Sequence, residues 1–199
     1  MLTIHWKSWE EIDGYFYSQT AYDWALEHCS GTFVEIGSLL GRSTAYLAQR
    51  LKEEGRNISF FAVDTWNGSA GADQRSDDIL IEKYGTDWFD AFLENMQRCG
   101  VAEYVIPLRM TSLQAATLFA NNSIDWLFLD AAHNYESVCE DLHAWYPKVK
   151  GVMAGDDYGV DWPGVDQAVD EFKKHEGWSE DRFLTIPPRM WLYRKGQGS

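Results

Sequence analysis

The stretch TFVEIGSLLGRSTAYLAQRLKEEG, residues 32–55, decides the fold. It opens with an apolar run typical of a strand buried on both faces, crosses a turn bounded by Gly37 and Gly41, and continues with apolar residues at helical spacing. Gly55 stands where such a helix ends. The pattern predicts a buried strand that leads through a glycine turn directly into a helix.

The same alternation of strand and helix continues along the chain. Further buried strands are predicted at 59–64, 104–110, 124–130 and 149–157, and helices at 88–100, 112–120, 135–149 and 164–175. The segment RFLTIPPRMWLYRK, residues 182–195, predicts two strands joined by a Pro-Pro turn. We therefore expect a Rossmann-like three-layer α/β sandwich, whose seven-stranded sheet is mostly parallel and ends in an antiparallel C-terminal hairpin.

Length and composition predict a single domain over residues 1–199, with a helical segment in the first 30 residues. A polar, glycine-rich loop, NGSAGADQRSDD (67–78), follows the second strand. Its length and small residues are typical of a mobile lid over an active site, and equally of a plain surface loop. Both interpretations of this loop stay open.

The net charge of the chain limits the classes of partner that it can bind favourably. With 17 basic and 31 acidic residues the net charge is −14, which repels phosphate backbones and makes nucleic acid an unfavourable partner, whereas a cation is a natural one. No apolar run approaches the roughly 18 to 20 residues that span a bilayer, and the N-terminus lacks a signal-peptide pattern. Three scattered cysteines fit a reducing compartment. We expect a cytoplasmic protein without a membrane partner.

Polar residues follow two neighbouring strands where ligands bind in open α/β sheets, at the carboxyl ends. Gly37 and Gly41 let a ligand approach the backbone, and the helix start behind them favours a negative group. Glu35 is placed to hold an amino group, and Asp64, at the end of the second strand, to accept hydrogen bonds from two ribose hydroxyls. Together they predict a nucleoside-containing cofactor, although a plain glycine turn and a capping aspartate would look similar.

Carboxylates also end the next two strands of the predicted sheet. Asp130 ends one of them, Asp156 and Asp157 end the other, and His133 lies three residues beyond Asp130. Three like charges at one edge repel one another unless a cation lies between them. Oxygen ligands favour Mg²⁺, Mn²⁺ or Ca²⁺ over zinc. The sequence thus predicts a divalent-metal site, the alternative being helix caps or loop carboxylates that never meet.

Aromatic residues near the strand ends are candidates for a substrate pocket. We expect Trp66, Tyr158 and Trp162 to line it, and Trp126 and Trp145 to pack in the core. Three polar residues on the helix after Asp130 are predicted to form a solvated face; they are Glu140, Asp141 and His143.

Several of these runs resemble a known family. They are VEIGSLLGRSTAYLA (34–48), Asp64, WLFLDAAHNYESVCEDLHAWYPKVKGVMAGDDY (126–158) and the closing hairpin. The chain resembles the class I S-adenosylmethionine-dependent methyltransferases over about residues 30–195, and more narrowly the metal-dependent O-methyltransferases that act on sugars of macrolide and aminocoumarin antibiotics. It is also similar to the cephalosporin-hydroxylase-like group and, more distantly, to catechol O-methyltransferases.

The resemblance implies roles for particular residues. S-adenosylmethionine would be bound by Glu35, Gly37, Ser38, Gly41, Ser43, Asp64, Thr111, Ser112 and Asp130, with Thr111 and Ser112 near the adenine. The implied metal ligands, for Mg²⁺ or Mn²⁺ or else Ca²⁺, are Asp130, Asp156 and Asp157, and the implied catalytic residues are Asp130 and His133, the latter as general base. The reaction would be methylation of a hydroxyl on a small acceptor: a sugar, a natural product or a catechol-like molecule. A homodimer is compatible with this.

Two departures from the family limit the inference. The turn reads GSLLG rather than a tighter Gly-x-Gly-x-Gly, and only about thirty residues precede the first strand, so the acceptor is not carried over. A nicotinamide-dependent oxidoreductase would explain the turn and Asp64 but not the strand-end carboxylates. A metal-dependent hydrolase would explain only the carboxylates. A protein that binds S-adenosylmethionine without catalysis would have almost the same sequence.

Overall fold

A seven-stranded sheet runs through the centre of the protein. The computed structural model describes residues 7–68, 74–159 and 162–196, and for residues 74–77 it describes the backbone alone. The strands are β1 (Thr32–Ile36), β2 (Ser59–Asp64), β3 (Ile106–Arg109), β4 (Ile124–Leu129), β5 (Val149–Gly155), β6 (Phe183–Ile186) and β7 (Met190–Arg194). Their order is β3-β2-β1-β4-β5-β7-β6, with β1 to β5 parallel and β7 antiparallel to β5 and β6. The predicted fold is confirmed, including the C-terminal hairpin.

Helices cover both faces of the sheet. They are α1 (Gln19–His28), α2 (Arg42–Glu53), α3 (Gln74–Tyr84), α4 (Phe89–Arg98), α5 (Ser112–Ala116), α6 (Tyr135–Trp145) and α7 (Pro163–His175), with short 3₁₀ turns at Trp9–Glu11, Ala102–Tyr104 and Tyr146–Lys148. Within the described ranges, none of the helices combines the length and apolar character needed to cross a membrane.

Three elements differ from their predicted form. α5 ends at Ala116 rather than at 120, because the Thr117 hydroxyl donates to the Gln114 carbonyl and competes with helix propagation. β3 was predicted to be buried on both faces but is an edge strand, and Ile106 is 45% exposed. Of the predicted loop at 67–78, residues 69–73 lie outside the described residues and residues from Gln74 onward form α3. The lid therefore stays a prediction.

The two faces of the sheet each carry a hydrophobic core. Along β1, Phe33 packs into one core with α1, α2 and α4, and Val34 packs into the other with α5, α6 and α7. This follows from the alternation of side chains along a strand, which gives a central strand two buried faces. Trp126 and Trp145 are fully buried, as predicted, one in each core.

The strand order fixes where a ligand can enter. From β1 the chain proceeds outward to β2 and β3, and then crosses back to β4 on the other side of β1. In open α/β sheets such a switch in direction leaves a crevice between the carboxyl ends of the two central strands. Here that crevice lies between β1 and β4.

Candidate active site

A cavity of about 720 Å³ opens at the carboxyl ends of the central strands. This volume lies within the range of roughly 300 to 1,000 Å³ that is usual for small-molecule sites. Ten of the residues singled out in the sequence line it: Gly37, Ser38, Ser43, Asp64, Ser112, Asp130, His133, Asp156, Asp157 and Trp162. The fold therefore brings both predicted half-sites, the glycine turn and the strand-end carboxylates, to one cavity.

The glycine turn is shaped by close packing. Gly37 has φ +91°, and a Cβ at this position would lie 1.8 Å from the backbone oxygen of Asp130, so the ends of β1 and β4 approach too closely for any side chain. Gly41 precedes α2 with φ +86°, and a Cβ there would lie 2.5 Å from the Cε of Met96. Gly41 does not line the cavity. Its role is to let α2 pack against its neighbours.

Glu35 supports the turn from within the protein. It is fully buried and does not line the cavity. Its carboxylate accepts hydrogen bonds from the hydroxyls of Tyr22 at 2.7 Å, Ser38 at 2.9 Å and Thr44. Burial raises the pKa of the Glu35 carboxyl, and these hydroxyl donors oppose the rise. In the structure Glu35 therefore supports the turn from within the protein, and its contact with a cofactor amino group stays a prediction.

Asp64 joins the turn to the end of β2. Its two carboxylate oxygens accept hydrogen bonds from the backbone N–H groups of Leu39 and Trp66, each at 2.8 Å. Burial raises the pKa of the Asp64 carboxyl, and these backbone donors act against that rise. A carboxylate oxygen can accept two hydrogen bonds, so Asp64, which lines the cavity, can also accept hydrogen bonds from a ligand there.

Ser112 links the cavity to a buried carboxylate on α6. The Ser112 hydroxyl donates to Asp141 and accepts a hydrogen bond of 2.8 Å from the indole nitrogen of Trp145. Asp141 is buried, which corrects the prediction that it belongs to a solvated face with Glu140 and His143; only the latter two are exposed. The reason is that α6 packs against α5, and Ser112 of α5 supplies the partner.

Thr111 does not line the cavity. It precedes α5, and its side chain accepts a hydrogen bond from the backbone N–H of Gln114 at 3.2 Å while the Gln114 side chain accepts one from the Thr111 N–H. This reciprocal pair is a capping box, a local feature of helix starts. The structure shows a capping role for Thr111, and its contact with adenine stays a prediction.

Replacing Asp141 by asparagine is expected to change how stability depends on pH. Burial raises the pKa of the Asp141 carboxyl to about 6 from its ordinary 3.8, so between these values the folded state holds a proton that the unfolded chain releases. Wild-type stability therefore falls through this group as pH rises from about 4 to 6, by about 3 kcal/mol, and is level above that. The asparagine still accepts from Ser112 and does not titrate. Denaturant unfolding at several pH values should show the two stability curves diverging over this interval; parallel curves would contradict it.

Three groups meet at the ends of β4 and β5, and we call Asp130, His133 and Asp157 the acidic cluster. Each brings one ligand-type atom within 4.8 Å of those of the other two. The His133 Nε2 lies 2.6 Å from Asp157 Oδ2 and 3.9 Å from Asp130 Oδ1. The ring of His133 stacks on Trp162 with centroids 4.4 Å apart. The arrangement suits either a divalent ion or a proton shared between imidazole and carboxylate.

Asp156 faces other partners. It accepts hydrogen bonds from the Ser18 hydroxyl at 2.7 Å, the Asp157 backbone N–H at 2.8 Å and Arg189 Nε at 3.1 Å. The guanidinium of Arg189 also pairs with the Asp157 carboxylate. Burial, and then the charge of Asp130, raise the pKa of Asp156 to about 6. The three aspartates predicted as metal ligands are thus neighbours, but the group that comes within ligand distance has His133 in place of Asp156.

Two of the three predicted pocket aromatics lie elsewhere. Trp66 is 0% exposed, packs against Phe89 and Phe92, and donates from its indole nitrogen to the Leu39 carbonyl at 2.6 Å. Tyr158 donates its hydroxyl to Asp170 at 2.8 Å. Neither lines the cavity, which corrects those predictions. Proximity to a strand end in sequence does not determine the direction of a side chain.

Sequence reasoning missed several residues of the cavity wall. They are Asp13, Gly14, Tyr15 and Tyr17 from the N-terminal segment, Arg42 from α2, and Arg189 from the C-terminal hairpin. Arg42 Nη1 donates to the Gly14 carbonyl at 2.7 Å. The N-terminal contacts have no sequence signal, because they join segments far apart in the chain. Arg189 did have a sequence signal: β7 of the predicted hairpin runs antiparallel to β5, so it begins beside the end of β5.

The chain belongs to a methyltransferase family. A family model described as a methyltransferase domain matches residues 34–158, more than half of the sequence. The matched region runs from β1 to the residue after Asp157, and it contains the glycine turn, Asp64 and the acidic cluster.

Solved structures share the fold at low sequence identity. The O-methyltransferase NovP superposes with a TM-score of 0.67 at 19% identity, over 88% of this chain and 78% of that one. CalS11, a TDP-rhamnose 3′-O-methyltransferase of calicheamicin biosynthesis, gives 0.57 at 18%, over 89% and 76%. An S-adenosylmethionine-dependent O-methyltransferase from Thermotoga maritima gives 0.55 at 14%, over 94% and 68%. No curated protein matches the chain significantly.

Proposed function

We propose that the protein transfers the methyl group of S-adenosylmethionine to a hydroxyl of a small molecule, with the help of a divalent metal ion. One observation carries the proposal: a single cavity of about 720 Å³ is lined both by Gly37 of the glycine turn and Asp64 and by the acidic cluster. The family match favours methyl transfer over the nicotinamide-dependent alternative.

The donor half of the site is built by the ends of β1 and β2. Gly37, Ser38 and Ser43 border the cavity at the start of α2, whose free N–H groups favour the negative carboxylate of the donor. Asp64 stands at the end of β2 with acceptor capacity for the ribose hydroxyls. These residues fit a nucleoside with a charged tail.

The acidic cluster fits a hard divalent ion such as Mg²⁺ or Mn²⁺. Asp130 and Asp157 would hold it through their carboxylate oxygens. When bound, such an ion lowers the pKa of a hydroxyl that coordinates it. His133 is the candidate general base: Asp157 Oδ2, 2.6 Å from His133 Nε2, would accept a hydrogen bond from the Nε2–H and stabilise the imidazolium, and the hydroxyl proton would go to Nδ1. The neighbouring Trp162 ring fixes the orientation of the imidazole.

Isothermal calorimetry with S-adenosylhomocysteine and with Mn²⁺ tests the two halves separately. We expect both to bind wild type, and Asp64→Ala to weaken S-adenosylhomocysteine about tenfold or more while Mn²⁺ affinity is retained, since a hydrogen bond to a charged group contributes about 1.5 to 3 kcal/mol. Binding of NAD⁺ in place of S-adenosylhomocysteine would contradict the proposal.

The same two ligands also test two alternatives: that His133 is a metal ligand, and that the protein binds the methyl donor without catalysis. If His133→Ala loses Mn²⁺ as completely as Asp130→Asn does, then His133 is a ligand and not the base. If both ligands bind but no methyl group is transferred to any hydroxyl acceptor offered, the protein binds the donor without catalysis.

A further inference from the structure

Arg189, the residue before β7, faces the carboxylates at the end of β5. Its Nε donates to Asp156 Oδ1 at 3.1 Å, and its Nη2 pairs with Asp157 Oδ1. The side chains of Asp156 and Asp157 are only 6% and 3% exposed, whereas that of Arg189 is 25% exposed and lines the cavity. Because a buried carboxylate is costly without a cation beside it, this guanidinium stabilises both side chains in the folded protein.

The main chain and an aromatic ring hold Arg189 in this position. The Tyr158 N–H donates to the Arg189 carbonyl at 2.7 Å, which ties the start of β7 to the residue after Asp157. The guanidinium carbon lies 5.6 Å from the centre of the Tyr17 ring, close enough for a further, weaker attraction. Together with the acidic cluster, Arg189 and Tyr17 line the part of the cavity that we call the acceptor half.

Among the described residues that line the cavity, Arg189 is the one permanent cation that pairs with the strand-end carboxylates. The other arginine in the wall, Arg42, donates from Nη1 to the Gly14 carbonyl at 2.7 Å. The three aspartates at the ends of β4 and β5 thus share one guanidinium. Their remaining negative charge attracts a divalent ion, and a positive charge held beside them reduces that attraction.

The orientation of the two carboxylates does not depend on Arg189 alone. Asp156 also accepts hydrogen bonds from the Ser18 hydroxyl at 2.7 Å and from the Asp157 N–H at 2.8 Å. The second oxygen of Asp157, Oδ2, lies 2.6 Å from His133 Nε2. Removing the guanidinium takes away a positive charge but leaves these contacts in place. We therefore expect the loss of charge to affect metal binding more than any change in geometry.

We propose that Arg189 is the built-in counter-ion of the metal site. It stabilises Asp156 and Asp157 in the metal-free protein and competes with a divalent ion for the charge of Asp157. The protein then folds without the ion and binds it reversibly. This proposal rests on the metal half of the proposed function, and it adds a residue that sets the affinity for the ion.

Mn²⁺ calorimetry on Arg189→Gln tests the proposal. We expect the variant to bind Mn²⁺ about tenfold or more tightly than wild type, because a repelling charge close to the ion is removed. In EDTA its melting temperature should fall by about 5 °C or more, because two buried carboxylates lose their counter-ion. Saturating Mn²⁺ should recover most of this loss. Arg189→Lys keeps the charge, so its Mn²⁺ affinity should stay close to that of wild type.

Arg50→Gln is the matched control. Arg50 also pairs with two carboxylates, those of Asp23 and Glu54, but it does not line the cavity, so the substitution removes the same charge at another place. Its Mn²⁺ affinity should equal that of wild type. If Arg189→Gln does not fold in EDTA, the comparison is made in an Asp156→Asn background, where adding Arg189→Gln should again tighten Mn²⁺ binding.

The outcomes separate this proposal from the proposed function. If Arg189→Gln binds Mn²⁺ as wild type does, or more weakly, then Arg189 is not a competing counter-ion, while the metal half of the proposed function stands. Equal melting temperatures of Arg189→Gln and wild type in EDTA would contradict the counter-ion role in the same way. If neither protein binds Mn²⁺, the metal half of the proposed function fails, and the counter-ion proposal fails with it.

Discussion

Asp157→Asn is expected to lose divalent-metal binding and to lower methyl transfer by about 100-fold or more. Asp157 is 2% exposed and is the member of the acidic cluster that contacts His133 at 2.6 Å. Its backbone has φ +65°, a conformation that asparagine tolerates well, so the substitution removes a charge without straining the chain. Arg189 keeps Asp156 as a partner and is not left as an unpaired buried charge.

The measurement is Mn²⁺ calorimetry on the variant, with S-adenosylhomocysteine affinity as the control for folding. Asp130→Asn should reproduce the loss from a more exposed position, where effects on folding are smaller. Asp156→Asn should weaken Mn²⁺ less, because Asp156 is engaged by Ser18 and Arg189. Unchanged Mn²⁺ affinity in both Asp157→Asn and Asp130→Asn would remove the acidic cluster as a metal site.

Gly37→Ala is expected to abolish binding of S-adenosylhomocysteine, with a loss of about 100-fold or more, and to destabilise the fold by several kcal/mol. The alanine Cβ would lie 1.8 Å from the backbone oxygen of Asp130, so the ends of β1 and β4 must separate to admit it. That separation displaces Asp130 and the glycine turn together. The donor half and the acidic cluster are therefore disturbed by one methyl group.

Gly85→Ala is the matched control. Gly85 has φ +76°, like Gly37 in the left-handed region, but a Cβ there meets nothing within 4 Å. It should cost only the backbone strain of about 1 to 2 kcal/mol and leave ligand affinity unchanged. Denaturant unfolding and calorimetry on both variants separate strain from steric conflict. Equal affinity of Gly37→Ala and Gly85→Ala for S-adenosylhomocysteine would contradict the predicted steric conflict at Gly37.

The fold was predictable because its signals are local. A strand buried on both faces gives a continuous apolar run, and residues 32–36 and 59–64 each show one. The topology was predictable as well, because strand–helix–strand connections between parallel strands are almost always right-handed, and this leaves few possible topologies for a parallel sheet. α3 was missed because the polar start of its sequence, QRSDD, is typical of a loop, and because Leu80, the buried residue among 78–84, comes late in the helix.

Half of the candidate site was predictable and half was not. Residues at the carboxyl ends of strands, such as Asp64, Asp130 and Asp157, follow from the strand assignments alone. Ser18 and Tyr17 reach the cavity only through tertiary packing of the N-terminal segment, which no periodicity records. Arg189 lies between these cases, because the antiparallel pairing of β5 with β7 would have placed it beside Asp156.

The bond from Ser18 to Asp156 and the pairing of Arg189 with Asp156 and Asp157 have a consequence for biosynthesis. The glycine turn and Asp64 lie within residues 35–64, and Ser112 and Asp130 follow before the last two strands, so the donor half leaves the ribosome before the C-terminal hairpin. The acceptor half needs segments near both ends of the sequence, and contacts of such large sequence separation form late in folding. A nascent or truncated chain that lacks the hairpin would lack Arg189, the partner of Asp156 and Asp157, so we expect the carboxylates at the end of β5 to reach their final arrangement only when the last strands have joined the sheet.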